Sequence, residues 1–203
     1  HIERDIDYRT LYERPDSADH FFDTQLYVNN TTPQVTRSYD LALDDPITAI
    51  GVVDVQVLVH GGLDQAANPD HSVQLRLNSH DLGTHQWNGR SDHLITTSAP
   101  TAWLDGAPNR IDLIAALAQL PGLTGSSPYY WISPDWVKVR YPALADVEND
   151  RLYVEGLPEP AAPVAVTGFT SPNVSVIDVR DPQHPLLLNG VAAQADGGMH
   201  TIY

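Results

Sequence analysis

VVDVQVLVH, residues 52–60, decides the fold. Val53, Val55, Val57 and Val59 alternate with Asp54 and Gln56, so an extended chain here has one branched, apolar face. A period of two built on β-branched residues belongs to a strand half-buried in an antiparallel sheet. The pattern recurs on either side. SVQLRLN, residues 72–78, turns Val73, Leu75 and Leu77 inward and Gln74 and Arg76 outward. SYDLAL, residues 38–43, alternates Tyr39, Leu41 and Leu43, and WVKVRY, residues 136–141, alternates Val137, Val139 and Tyr141. Turn chemistry falls between the runs: Gly61-Gly62, Asn68-Pro69-Asp70, Asn88-Gly89, Asp105-Gly106, Pro121-Gly122 and Ser133-Pro134. Sixteen prolines and thirteen glycines spread in this way suit a β-sandwich of many short strands. Helical propensity competes only in IDLIAALAQL, residues 111–120, which reads as a strand ending in a helical turn.

The expected protein is all-β. Residues 1–19 are polar and without a lasting period, and read as an extended lead-in. A jelly-roll-like β-sandwich is expected over 20–142, and a small β subdomain and connector over 143–190. Residues 191–203 read as the start of a link to a downstream domain. The second segment contains Leu157-Pro158-Glu159-Pro160 and then VAVTGFTSPNVSVIDVRDPQHPLLL, residues 164–188. That stretch reads as two short strands broken at Ser171-Pro172-Asn173 and closed by Asp181-Pro182-Gln183-His184-Pro185, because proline sets φ and removes a donor. So few short strands need a neighbour to cover one face. The chain starts at His1 with no signal peptide, which reads as a fragment or a mature form whose leader has been removed.

The formal charge is −15, from 26 acidic and 11 basic residues, and Lys138 is the only lysine. A surface this acidic repels phosphates, which argues against nucleic acid and anionic membranes as partners. No apolar run approaches the ~18 residues of a membrane span. Zero cysteines exclude disulfides, thiolate zinc sites and a cysteine nucleophile within this chain.

Four phrases recur together in one family. DHSVQLRLN at 70–78, with Leu82-Gly83 and Trp87-Asn88-Gly89, looks like the phrase DHHVxVxLNGxxLGxxxWxG. Residues 104–113, LDGAPNRIDL, resemble the LxxGxNxIxL hairpin of galactose-binding-like jelly rolls. DWVKVRYP at 135–142 is similar to DWVEVEYPR, and residues 164–188 are similar to VTGFSSPDVxVWDVTDPxxPxxL. In order and spacing the chain resembles the non-catalytic region upstream of the catalytic domain in gingipain-like cysteine peptidases of secreted bacterial proteins. The resemblance spans roughly residues 20–190. Two departures alter loops: Ser79 replaces a turn glycine, and Gly106-Ala107-Pro108-Asn109 is one residue longer than GxN. The family's catalytic His and Cys belong to a following α/β domain, and nothing here matches them.

The resemblance therefore implies a non-catalytic accessory or pro-region module, extracellular or on the cell surface. Its partner would be the peptidase domain downstream in the same polypeptide. The alternative is a carbohydrate-binding module, with Trp87, Trp103, Tyr129, Tyr130 and Trp131 offering aromatic faces to a glycan. Jelly rolls of this type often tie first and last strands with calcium, and Asp19, Asp23 and Asp135 are the candidate ligands, carboxylate oxygens suiting a hard cation. Trp136 alternates against Val137 and Val139, so it faces away from their core and is expected at a domain interface. His71, His80, His85 and His93 crowd one region without an HExxH spacing and read as solvated loop residues. No GxSxG elbow supports a serine triad.

Overall fold

The computed structural model describes residues 1–10, 14–15, 18–43, 46–49, 51–104, 108–143, 147, 149–154 and 166–202. The Asp105-Gly106 turn, residues 106–107 of the lengthened loop, the 157–160 segment and residues 164–165 lie outside them. The chain divides into two compact units, residues 1–143 and 144–203.

In the first unit the strands are β1 (Ile2–Glu3), β2 (Asp7–Tyr8), β3 (Phe21–Phe22), β4 (Leu26–Asn29), β5 (Gln34–Leu41) and β6 (Val52–Gly61). They continue as β7 (His71–Leu77), β8 (His80–Trp87), β9 (Asp92–Pro100), β10 (Asn109–Ala116) and β11 (Tyr129–Arg140). One antiparallel sheet runs β1-β11-β6-β9, with β4 also on β11; the other runs β5-β10-β7-β8. From β4 to β7 and again from β8 to β11, successive strands change sheet. This alternation gives the sandwich its jelly-roll-like character, and β7–β8 is a hairpin kept within one of the two sheets.

The alternation read from residues 52–60 sets the core. Val53, Val55, Val57 and Val59 are fully buried, and they meet Val73, Leu75, Leu77, Ile111 and Leu113 of the opposite sheet in one cluster. Each such side chain contributes roughly 1.5–3 kcal/mol by leaving water. The 111–120 segment is a strand to Ala116 followed by a 3-10 turn at Leu117–Gln119, as its mixed propensity suggests.

The structure refines three readings of the first unit. Ser133-Pro134 is no turn between strands: it lies inside the twelve-residue β11, where the register with β6 shifts between Pro134 and Trp136. A bulge tolerates a residue without an N–H, and the extra residue bends the strand. The lead-in is partly sheet, since β1 pairs with β11 (Glu3 opposite Trp136) and β2 with β3. At Ser79, where the resembled phrase carries glycine, Asn78 takes the positive φ of 55° instead. Its Nδ2 donates to the Trp103 carbonyl at 2.6 Å, and its Oδ1 accepts from the Arg110 N–H at 2.9 Å. Asparagine tolerates this backbone region because its side chain bonds locally.

In the second unit, β12 (Val166–Phe169), β13 (Ile177–Asp178), β14 (Leu186–Leu187), β15 (Ala193–Asp196) and β16 (Met199–Ile202) form a β12-β16-β15 sheet and a β13–β14 hairpin. The hairpin is closed by Asp181, whose carboxylate accepts the Gln183 N–H at 3.1 Å. Residues 191–203, expected to begin a link, carry the β15–β16 hairpin, so the small sheet runs to Ile202. Phe169, Thr201 and Ile202 are its buried side chains among the described residues.

Candidate functional site

The β11 bulge and the lead-in bring carboxylates together. Asp135 is buried at the bulge, Glu3 comes from β1, and Asp19 precedes β3; an oxygen of each lies within 4.8 Å of the others. Arg14 closes one side. Its side chain is only 6% exposed, and its guanidinium donates to Asp135 Oδ2 at 2.7 Å and to Asp92 Oδ1 at 2.8 Å and lies 4.5 Å above the Phe22 ring. Asp92 also bonds His60 Nδ1 at 2.7 Å. Burial pushes the Asp135 carboxyl above its ordinary value; Arg14 opposes this, and Asp19 and Asp92 reinforce it. Glu3 is raised as well, first by burial and then by Asp135, Asp5 and Asp19. Crowded carboxylates disfavour one another's charge, so a cation fits the chemistry of this donor set.

Asp23, the third expected ligand, is elsewhere engaged. It is fully buried, accepts two hydrogen bonds from Arg37, one from the Tyr39 hydroxyl at 2.9 Å and one from the Thr24 N–H at 2.6 Å. Burial alone would raise its carboxyl, yet the bonds from Arg37, Thr24 and Tyr39 hold it below the ordinary value. Its lone pairs are used internally. It anchors β5 to the segment after β3.

The five candidate sugar-binding aromatics separate. Tyr130 is fully buried, its hydroxyl donating towards the Ser72 and Ala116 carbonyls at 3.1 Å. Trp87 is 7% exposed and held between His71 (centroids 5.3 Å apart, 16° between planes) and His93 (4.7 Å, 5°). Trp103 is half-buried and stacks on His80 at 4.6 Å. Three of the four histidines expected in solvated loops, His71, His80 and His93, are thus packing partners of indoles. His71 is wholly buried against Asp70 at 2.6 Å, and burial depresses its imidazole against the pull of that carboxylate.

Tyr129 and Trp131 do come together. They face outward from β11, parallel to within 10° at 6.2 Å, and Tyr27 of β4 joins them at 6.2 and 6.1 Å. Tyr27 is a functional candidate missed in the sequence, although LYVN alternates and so places it outside between buried Leu26 and Val28. Gly62 makes room for this cluster: a Cβ there would come within 1.7 Å of Trp131 Nε1. Trp136 is half-buried on the outer face of β11, its ring 5.7 Å from that of His1.

Among the described residues no helix is long and apolar enough to cross a membrane. Comparison with protein-family models finds no match. None is found among curated proteins either. Among solved structures the chain is similar to dimeric latent PorU from Porphyromonas gingivalis, at 10% identity and a TM-score of 0.57. That likeness covers 90% of this chain, which spans 17% of the PorU chain. A CBM36-1 domain of a multidomain xylanase from the hindgut metagenome of Trinervitermes trinervoides aligns at 14% identity and a TM-score of 0.34, over 60% of this chain and 100% of that domain. At such identities the first likeness shows the fold, a β-rich sandwich shared with one part of a much larger chain, and the second adds no argument.

Proposed function

We propose that this chain is a non-catalytic accessory or pro-region module of a secreted gingipain-like cysteine peptidase, acting outside the cell or at its surface. It packs against or positions the peptidase domain downstream in the same polypeptide. The observation that carries this reading is the β13–β14 hairpin. Ile177, Leu186, Leu187 and Leu188 are 53%, 62%, 62% and 47% exposed, and Leu186 and Leu187 point to opposite faces. A two-stranded hairpin is marginal alone, and large apolar side chains left in water on both of its faces fit an interaction surface. The four phrases of the gingipain-like region, the lack of cysteine and the likeness to a chain described as latent support the same reading.

The test is titration of the purified chain with that peptidase domain by calorimetry. Leu186→Asp with Leu187→Asp weakens binding by at least about tenfold, because each apolar anchor then carries a charge into the interface. Both residues are exposed in the chain, so its own melting temperature stays unchanged. A polypeptide with no peptidase domain, or equal binding by the double variant, overturns the proposal.

The reading includes a structural calcium ion held by Glu3, Asp19 and Asp135, tying β1 and the pre-β3 segment to β11. Calcium at a hundredfold excess over its Kd then adds about 2.7 kcal/mol of stability. EDTA removes the gain, and Glu3→Gln with Asp135→Asn abolishes it. Glu3 and Asp135 are raised in the folded chain, so without the ion their stabilising contribution is present below the ordinary carboxylate pKa and is lost as pH rises through the folded values. The calcium gain therefore grows with pH across the acid range. A melting temperature indifferent to calcium at neutral pH sinks this part of the reading.

A further inference from the structure

A depression of about 250 Å³ lies beside the outward aromatic cluster. Tyr27 and Tyr129 form its walls, 42% and 40% exposed, and Asn29, Asn30, Thr31 and Ser127 supply its polar rim. Among the described residues its lining contains no Asp, Glu, Lys or Arg, in a chain carrying 26 acidic and 11 basic residues. An uncharged lining on so charged a molecule favours an uncharged ligand, since a charge brought there would meet no counter-ion.

The rim has hydrogen-bonding capacity to spare. Asn29 Oδ1 accepts the Thr31 and Thr32 N–H groups at 2.8 Å, which holds the turn and leaves its Nδ2 without a partner among the described residues. Asn30 Nδ2 donates to the Ser126 carbonyl at 3.2 Å, leaving its Oδ1 as an acceptor. Aromatic faces next to paired amide and hydroxyl groups match a pyranose, whose C–H face packs on a ring while its hydroxyls both donate and accept. Trp131, two residues along β11 and partly buried, holds its ring parallel to Tyr129 within 10° at 6.2 Å and supports it from the core side.

We propose that this depression binds a neutral pyranose, with Tyr27 and Tyr129 as stacking residues and Asn29 and Asn30 reading hydroxyl groups. The site is independent of the apolar hairpin and of the acidic cluster. It shares Tyr129 with the set expected from sequence and replaces Trp87, Trp103 and Tyr130.

The experiment titrates the whole chain, labelled with ¹⁵N, with neutral trisaccharides (cellotriose, xylotriose, mannotriose and chitotriose) and with a glucuronate-containing trisaccharide. At least one neutral probe binds with a Kd on the order of 0.1–1 mM, as a small open site allows. Shifts centre on residues 27–31 and 126–131, and affinity varies little with salt. Tyr27→Ala and Tyr129→Ala each lower affinity by about tenfold or more while the melting temperature stays near that of the parent chain. Absence of binding by every neutral probe overturns the proposal. So do shifts centred elsewhere, stronger binding of the acidic probe, or unchanged affinity in both tyrosine variants.

Discussion

Asp23→Ala lowers the stability of the first unit by about 2–4 kcal/mol, because it leaves a buried hydroxyl donor and a part-buried guanidinium without their acceptor. The carboxylate is inaccessible and serves Arg37, the Thr24 N–H and the Tyr39 hydroxyl at once. Without it the Tyr39 hydroxyl, itself fully buried, has lost its acceptor, and Arg37, 29% exposed, loses the carboxylate it pairs with. Burial together with the adjacent Asp23 charge raises the Tyr39 phenol, so it remains a neutral donor across the accessible pH range. The expected readout is a urea midpoint shift with an unchanged slope, and a melting temperature lower by roughly 10 °C. The effect depends on pH with a definite sign. Asp23 is depressed in the folded state, so its contribution is present above the ordinary carboxylate pKa and is lost as pH falls through the folded value. Parent and variant therefore converge in acid. Chelators leave the difference untouched, because Asp23 is no part of the acidic cluster. A variant less than about 1 kcal/mol weaker at neutral pH contradicts this account.

Trp87→Ala costs about 3–5 kcal/mol, the usual range for deleting a buried indole. Its ring fills the space between His71 and His93, and Gly61 is cut to fit it: a Cβ on Gly61 would lie 2.8 Å from Trp87 Nε1 and 2.5 Å from the Gly89 carbonyl. Removal leaves a cavity lined by two imidazoles that rigid strands β7 and β9 hold apart. Chemical denaturation measures the loss, and the same variant retains trisaccharide affinity wherever it stays folded. Tyr129→Ala shows the opposite pattern, with affinity lost and stability kept. Loss of binding by Trp87→Ala at undiminished stability would return Trp87 to the sugar-binding set and contradict its place in the core.

Much of the sandwich was legible because period-two alternation is a covalent property of an extended chain: successive side chains must point to opposite faces. That is why 52–60 and 72–78 read correctly, whereas the strand and terminal turn in 111–120, buried from Ile111 to Ala116 without alternation, were read from competing propensities. The same rule put Trp136 outside and would have put Tyr27 outside too. Alternation was less informative for isolated aromatics. It shows that Tyr130 and Trp131 face opposite ways, but not which of the two faces the second sheet covers. Trp87 illustrates the difficulty, since a tryptophan after a polar turn can be a platform or a core residue, and only the rings packed on both its sides decide between them.

The acidic cluster was half legible. Asp19 and Asp135 were picked out, but Glu3 joins them only because β1 pairs at the β11 bulge, and Arg14 only because the lead-in folds back over Phe22. Neither event has a local signal.

From residues alone followed an all-β chain with valine-lined strands, no thiol chemistry and an acidic surface, because strand geometry, composition and charge are local or additive. Which tyrosines stand in water, which carboxylates meet and which are already bonded to arginine depend on register, on one bulge and on the pairing of distant segments. Those are settled only when two sheets close over a shared core.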